Sequence, residues 1–99
     1  MSKELAHRAA EFFARTANRD ALITVTFAHT SSNLRRANIY ITVYPESREE
    51  AALAFTKRQR SDFREYLKKM TKMRRLPTID FEIDKGDKNR RRIDELLNE

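Results

Sequence analysis

Three short segments with strict two-residue alternation constrain the fold of this chain more than any other feature. They cover 22–28, 37–44 and 78–84, and in each one apolar residues alternate with polar ones. Such alternation is typical of a strand with one buried face. The predicted inward-facing residues are Ile23, Val25 and Phe27, then Ala37, Ile39, Ile41 and Val43, then Ile79, Phe81 and Ile83. A single sheet covered by helices on one side would bury all three apolar faces.

The segments outside these strands have the patterns of amphipathic helices. One is predicted before the first strand, with Asn18 as its stop. Another is predicted after Pro45, where Ser47 and Glu50 have the spacing of a capping box. The predicted core-facing residues are Leu5, Ala9, Phe12 and Phe13 in the first helix and Ala51, Ala52 and Phe55 in the second.

The order of these elements predicts the fold class. A chain of 99 residues has room for one domain. Helix, strand, strand, helix, helix and strand give an α+β domain over 1–84, in which a polar loop joins the first two strands as an antiparallel hairpin. Residues 85–99 are predicted to be a short basic tail that ends in one helical turn.

Basic residues are concentrated in one segment of the chain. The formal net charge is +6, and residues 57–75 hold nine Lys or Arg against two acids. That segment alone contributes +7, so the rest of the chain is nearly balanced. A local basic patch of this kind is typical of a surface that meets phosphate groups.

Within the basic segment, Ser61 predicts a break between two helical pieces. Its hydroxyl could cap a new helix, so a kink is predicted at Arg60 and Ser61. At 100° per residue the apolar residues of the second piece form a core stripe and the basic ones an adjoining stripe. The core stripe is Phe63, Tyr66, Leu67 and Met70, with Met73 at its edge, and the basic stripe is Arg64, Lys68, Lys72 and Arg75.

A plainer alternative is that these basic residues form only a solvated helix face. The concentration of charge in one element argues against it. The third strand supplies a second argument, because Asp80, Glu82 and Asp84 are predicted on the solvent face of the sheet. Stacking of RNA bases on that face is therefore not expected, despite Tyr40 and Tyr44.

Residue patterns that would indicate an enzyme are missing from the sequence. There is no cysteine, and His7 and His29 lack the spacing of metal ligands. No glycine-rich phosphate loop is present either. We expect no catalytic activity, no cofactor, no metal and no small-molecule substrate. The first twenty residues have no apolar run long enough for a signal peptide or a membrane span, so we expect a cytoplasmic protein that does not engage membranes.

Residues 30–45, "TSSNLRRANIYITVYP", closely resemble the signature of the ribosome-binding factor A family. In that signature a Ser-Pro-Asp-Leu-Arg-like turn leads into Ala-x-Val-Tyr-Val-Ser-Val. The matching residues here are Ser31, Asn33, Leu34, Arg35, Ala37, Ile39, Tyr40 and Thr42. Residues 63–84 are similar to the family's second helical piece, linker and last strand, and 91–97, "RRIDELL", to its carboxyl-terminal motif.

The resemblance implies a fold and a function. The fold is a type II KH-like domain, ordered α-β-β-α-kink-α-β. The function is binding to the small ribosomal subunit and its ribosomal RNA late in maturation, with a role in 5′-end processing and in growth at low temperature. One departure is that the family's kink carries Ala-x-Gly where this chain has Gln59, Arg60 and Ser61, and serine lacks the backbone freedom of glycine.

We therefore predict a monomeric ribosome assembly factor whose RNA-binding residues lie around the kink and along the basic stripe. They are Lys57, Arg58, Arg60, Ser61, Arg64, Lys68, Lys72 and Arg75, with Arg35 and Arg36 in the hairpin as a second contact. Two alternatives stay open at this point. One is a general KH-like module that binds single-stranded RNA or DNA, and the other is an adaptor whose basic helix meets an acidic protein.

Overall fold

The computed structural model describes residues 2–16, 21–72 and 75–86. Its elements are α1 (Ser2–Thr16), β1 (Leu22–Thr30), β2 (Arg36–Tyr44), a 3₁₀ turn (Glu46–Arg48), α2 (Glu49–Arg58), α3 (Arg60–Met70) and β3 (Thr78–Ile83). The α+β class and the order of the elements are as predicted. The predicted stop at Asn18, the position of Met73 and the tail from residue 87 onward lie outside the described residues.

The three strands form one sheet in the order β1-β2-β3. β1 and β2 pair in antiparallel fashion, which confirms the predicted hairpin. β3 pairs with β2 in parallel, because the chain crosses over through α2 and α3 before it returns to the sheet. β2 is therefore the central strand, and the start of β3 lies beside the end of the hairpin loop.

A bulge in β1 changes the face on which one aromatic side chain lies. Val25 and Phe27 pair with consecutive residues of β2, which leaves Thr26 as an extra residue. Beyond the bulge Ala28 packs against the core, while the ring of Phe27 stacks on that of Tyr40 at a centroid distance of 4.3 Å. The inward orientation predicted for Phe27 is therefore wrong, because an inserted residue reverses the alternation that follows it.

The core lies between the helices and one face of the sheet. Its buried members are Leu5, Ala9, Phe12, Phe13, Ala37, Ile39, Ile41, Phe63, Leu67, Ile79 and Phe81. Phe63 of α3 has no exposed surface, and its ring centroid lies 5.4 Å from that of Phe12 and 6.0 Å from that of Phe81. The tilted ring geometry is one that aromatic pairs favour. These contacts join α1, α3 and β3.

The start of α2 differs from its prediction. After Pro45 the chain first makes the 3₁₀ turn, in which the amide of Arg48 donates to the Pro45 carbonyl at 2.9 Å. This turn contains Ser47 and moves the helix start to Glu49, and no side chain caps the helix. The predicted capping box is therefore wrong. Of the predicted core-facing residues in α2, Ala52 is buried and Ala51 is exposed.

A polar network joins α1 to α3 beside the aromatic core. The Tyr66 hydroxyl and the Arg8 guanidinium both donate to Glu11 Oε2 at 2.9 Å. His7 Nε2 lies 3.0 Å from the other carboxylate oxygen. The hydrogen bond from Tyr66, followed by that from Arg8, lowers the pKa of Glu11 below its ordinary value. The ionised carboxylate therefore helps to hold the two helices together.

Glu11→Gln should make the stability of the protein less dependent on pH in the acid range. A carboxyl whose pKa is lowered by folding stabilises the native state above its unfolded pKa, about 4.3, and that contribution is lost as the pH falls through the folded value. The variant should be less stable than the parent at pH 7, and the difference should shrink toward pH 3. Urea denaturation at several pH values measures it.

The matched control is Glu50→Gln, which removes the same charge from an exposed position on α2. It should follow the parent's pH profile closely. Identical profiles for the parent and the Glu11 variant would contradict the assignment of Glu11 as a stabilising carboxylate.

Candidate nucleic-acid interface

A single residue, Gln59, separates α2 from α3. Its backbone has φ −89° and ψ 4°, outside the helical range. The Gln59 amide donates to the carbonyls of Phe55 and Thr56 at 3.1 Å, and its carbonyl accepts from the amide of Phe63 at 2.8 Å. Backbone hydrogen bonds therefore run from one helix into the next. The predicted break between two helical pieces is present at Gln59, one residue before Arg60, and we call this position the kink.

Ser61 does not cap α3. It is the second residue of the helix and is exposed, whereas the N-cap position is Gln59, whose side chain makes no capping hydrogen bond. Because the backbone of Gln59 is bonded to both helices, α3 continues α2. A serine two residues further on then has no cap position to fill. The predicted N-cap role of Ser61 is wrong, although the serine remains beside the kink.

Three predicted residues of α3 line one groove on the surface. Arg60, Ser61 and Arg64 form its helical wall, and Thr78 and Ile79 at the start of β3 form the opposite side. The groove has a volume of about 310 Å³. All three helical residues are exposed, so their polar groups can reach a ligand in the groove.

The two hairpin arginines adjoin this groove. The amide of Thr78 donates to the Arg35 carbonyl at 2.8 Å, and Arg36 is the register partner of Thr78 in the parallel pair. Arg35 and Arg36 are both exposed. The predicted second contact is therefore next to the first, because the parallel addition of β3 brings the hairpin to the groove.

Local hydrogen bonds fix the tip of the hairpin. The Asn33 carboxamide oxygen accepts from the amide of Arg35 at 3.0 Å and from the Ser31 hydroxyl at 2.7 Å. The Ser31 carbonyl accepts from the amide of Leu34 at 2.9 Å. These bonds hold Leu34 at φ 59°, a left-handed conformation that leucine rarely adopts. Arg35 thus projects from an ordered turn, which lowers the entropy cost of binding through it.

Asp80 is a residue of this region whose contacts with basic side chains the sequence did not predict. Its Oδ1 lies 3.4 Å from Arg60 Nη1 and 3.6 Å from Lys57 Nζ. The same oxygen accepts the backbone amide of Phe81 at 2.8 Å. Alternation predicted Asp80 on the solvent face of the sheet, and the burial of Ile79 and Phe81 on either side of it confirms that face. β3 is an edge strand next to the kink, so the carboxylate reaches the basic side chains there.

Arg58 lies apart from the groove. It is the last residue of α2 and lines a different depression, together with Arg48 and the apolar side chains of Ala52 and Phe55. Arg58 is therefore not among the residues that line the groove, and its predicted RNA contact stays a prediction. Adjacent helical residues point about 100° apart, which separates Arg58 from Lys57.

The predicted basic stripe is shorter than expected. α3 ends at Met70, and Thr71 is extended, with its amide and its hydroxyl both donating to the Leu67 carbonyl. Lys72 and Arg75 are exposed but lie beyond the helix, so they do not continue its stripe.

Met70 and Lys68 are the two remaining predicted residues near the end of α3. Met70, predicted in the core, is 41% exposed. Lys68 remains on the helix, and its Nζ lies 3.1 Å from Glu65 Oε1 in an exposed pair. Exposed ion pairs of this kind stabilise a protein by less than about 1 kcal/mol. Lys68 can therefore leave Glu65 and bind a phosphate instead.

Tyr40 on the open face of the sheet is 5% exposed, and its ring is covered by Phe27. Base stacking on Tyr40 would require this pair to separate. Tyr44 is 75% exposed at the end of β2.

In the part of the chain that the structure describes, no three His, Asp or Glu side chains come together in a way that could hold a metal ion. Within the same part, none of the helices is both long and apolar enough to cross a membrane.

Comparison with known sequences identifies relatives of this chain. A family model described as ribosome-binding factor A matches residues 1–97. A ribosome-binding factor A from Thermobifida fusca (strain YX) is 38% identical over 76 residues, covering 76% of this chain and 50% of the relative. One from Tropheryma whipplei (strain Twist) is 32% identical over 77 residues, covering 77% of this chain and 39% of the relative. The chain thus spans about half the length, or less, of these curated relatives.

Two solved structures have the same fold as this chain. The crystal structure of ribosome-binding factor A from Thermus thermophilus superimposes with a TM-score of 0.74 at 25% identity, covering 83% of this chain and 90% of that one. A solution structure from Thermotoga maritima, titled a putative ribosome binding factor A, has a TM-score of 0.70 at 24% identity, with coverage of 85% and 83%. The predicted type II KH-like fold is confirmed.

Ser61→Ala should leave the stability of the protein nearly unchanged. An N-cap serine is worth about 1 kcal/mol, whereas an exposed serine inside a helix can be replaced by alanine within about 0.5 kcal/mol. Asn33→Ala serves as the comparison, because it removes the acceptor for the Arg35 amide and should cost about 1 kcal/mol. Chemical denaturation of the three proteins measures both changes. A loss of 1 kcal/mol or more in the serine variant would restore the capping role.

Proposed function

The chain belongs to the ribosome-binding factor A family, and on this premise we propose that it is a ribosome assembly factor that binds the small ribosomal subunit through its ribosomal RNA. The observation that carries the proposal is a set of basic and polar side chains around the kink and the groove. We call this set the groove surface. Its members are Arg60, Ser61 and Arg64 in the groove wall, Arg35, Arg36 and Lys57 beside β3, and Lys68, one helical turn beyond Arg64.

The composition of the groove surface favours phosphate as the chemical group that it binds. Four of its members are arginines, whose planar guanidinium groups can hold phosphate oxygens with two parallel hydrogen bonds. They come from the hairpin and from α3, so they flank the groove on two sides. An RNA backbone lying along the groove would meet cations on both flanks.

Apart from the exposed Tyr44, at the end of β2 opposite to Arg36, the described aromatic side chains support recognition of the RNA backbone more than of the bases. Tyr40 is covered by Phe27, and the aromatic residues of α3 face the core. Phosphate contacts set position and orientation but carry no sequence information. We therefore propose that the chain recognises the shape in which the small subunit presents its RNA, and that it acts by binding rather than by catalysis.

The finer points of the proposal come from the family. We propose that the chain acts in the cytoplasm as a monomer without a cofactor, late in the assembly of the small subunit. We further propose that it assists processing at the 5′ end of the ribosomal RNA, and that its loss is felt most at low temperature. Accumulation of the 5′-extended precursor RNA in cells that lack the protein, measured at low and at normal growth temperature, tests this part.

Reversing two charges on α3 should abolish binding. Arg64→Glu with Lys68→Glu should remove two phosphate contacts and add repulsion, so co-sedimentation with immature small subunits should be lost. The affinity for a small-subunit RNA fragment should fall at least about tenfold at 0.1 M salt. Both residues are exposed, so the melting temperature should stay within a few degrees of the parent value.

The matched control is Arg48→Glu with Arg58→Glu, which changes the net charge equally at two exposed residues of the other depression. This control should retain most of the RNA affinity. Equal losses in the two double variants would mean that only net charge matters. Retained subunit binding in the Arg64 and Lys68 variant would refute the groove surface.

The dependence of RNA affinity on salt should report the number of phosphates bound. With about five phosphates engaged, a plot of log affinity against log salt should have a slope of about −3.5 for single-stranded RNA. The Arg64 and Lys68 double variant should have a slope shallower by about 1.4. Fluorescence anisotropy between 50 and 200 mM salt measures both slopes, and an unchanged slope in the variant would contradict the assignment.

Sedimentation also separates this proposal from the two alternatives. An assembly factor should migrate with the free small subunit in a sucrose gradient. A general regulator of messenger RNA should stay near the top, and an adaptor for an acidic protein should keep its main complex after ribonuclease treatment. Either result would contradict the proposed function.

A further inference from the structure

A backbone amide and two cationic side chains converge on one oxygen atom beside the kink. Asp80 Oδ1 accepts the Phe81 amide at 2.8 Å and lies 3.4 Å from Arg60 Nη1 and 3.6 Å from Lys57 Nζ. A backbone amide and two cations that surround one anionic oxygen make a suitable environment for a phosphate oxygen as well.

We propose that this position is a phosphate subsite for RNA, and that the Asp80 carboxylate occupies it in the free protein. The proposal rests on the proposed function and deepens it. RNA must displace the carboxylate in order to bind Lys57 and Arg60, so Asp80 competes with the RNA backbone for the same cations. The ligand class is a phosphodiester of single-stranded RNA.

The geometry of the cations suits such an exchange. The side chains of Lys57, Arg60 and Asp80 are 41%, 48% and 40% exposed, and ion pairs this exposed are weak and easily exchanged. Both distances to the carboxylate are longer than those of a strong charge-assisted hydrogen bond. An incoming phosphate can therefore replace the carboxylate by breaking two exposed ion pairs and one part-buried hydrogen bond, that from the Phe81 amide, which the phosphate oxygen can then accept.

Arg60 would be in place before RNA arrives. Its Nε donates to the Lys57 carbonyl at 3.0 Å, which orients the guanidinium independently of Asp80. Arg60 also lines the groove with Ser61 and Arg64. Arg60 therefore lies next to a phosphate that is bound at Arg64, and its guanidinium points toward the subsite. The subsite extends the groove at its Arg60 end.

In the free protein Asp80 places an anion beside two cations of the groove surface, Lys57 and Arg60. A carboxylate close to two of its cations should weaken RNA binding and make release easier. Removing the charge should raise affinity, whereas removing a charge elsewhere on β3 should not. This difference makes the inference testable.

Asp80→Asn is the variant of choice, because asparagine keeps an oxygen that can accept the Phe81 amide while losing the charge. Its affinity for a ten-residue oligouridylate at 0.1 M salt should rise about three- to fivefold, and the salt slope should become steeper by about 0.7, which corresponds to one further phosphate. Glu82→Gln on the exposed side of the same strand is the matched control, and it should change affinity less than twofold.

A second experiment tests whether the effect of Asp80 depends on Lys57 and Arg60. In a protein that carries Arg60→Gln and Lys57→Gln, Asp80→Asn should give no gain, because the cations that the carboxylate blocks are gone. A gain that persists in that background, or equal gains for Asp80→Asn and Glu82→Gln, would overturn the subsite. Asp80→Ser is the second variant should the asparagine protein melt below the parent, and it should show the same gain.

The outcome for the subsite is distinct from the outcome for the proposed function. If the parent co-sediments with small subunits through Arg64 and Lys68 but Asp80→Asn gives no gain, the subsite is refuted and the function stands. If the parent fails to sediment with small subunits while Asp80→Asn still gains affinity for oligouridylate, the function is refuted and the subsite stands.

Discussion

The complete burial of Phe63 is the constraint on which the rest of this structure depends. Its ring packs between Phe12 of α1 and Phe81 of β3, with centroid distances of 5.4 and 6.0 Å. A buried aromatic ring is worth several kcal/mol, far more than any exposed charge on the same helix. Once Phe63 faces the core, helical geometry places Arg64 and Lys68 about 100° to 140° around the axis, on the flank of α3. The orientation of the basic residues is therefore a consequence of apolar packing.

The second contribution comes from sheet topology. β3 returns beside β2 in parallel, which sets its first residue against the hairpin arginines and its edge against the kink. Arg35 and Arg60 are 25 positions apart in the sequence, and they adjoin one groove only because Thr78 lies between the segments that carry them. The same pairing brings Asp80 to Lys57, so the topology that assembles the basic surface also introduces its competitor.

Local patterns in the sequence predicted the elements well, and contacts between distant segments account for most of what they missed. Alternation and helical spacing identified all three strands and the apolar face of α1, because each of these depends only on which residues are apolar. One error is the face of Phe27, which a bulge in β1 reverses. Another is the cap role of Ser61, because the N-cap position of α3 is Gln59. A third is the length of the basic stripe, because α3 ends at Met70, before Lys72 and Arg75. The predicted solvent face of Asp80 is confirmed, but its contact with Lys57 and Arg60 was missed because alternation does not reveal which strand is at an edge. Of the ten predicted site residues, the structure brings Lys57, Arg60, Ser61, Arg64, Arg35 and Arg36 to the start of β3, and Lys68 lies one helical turn beyond Arg64.

Mapping RNA contacts by nuclear magnetic resonance tests the central claim most directly. Titration of the isotope-labelled protein with a small-subunit RNA fragment should shift the backbone amides of Arg35, Arg60, Arg64 and Thr78 first, because they surround the groove. The amide signals of residues whose side chains lie on the open face of the sheet, such as Thr42, should shift little. Shifts confined to the open face, with the groove unaffected, would contradict the account.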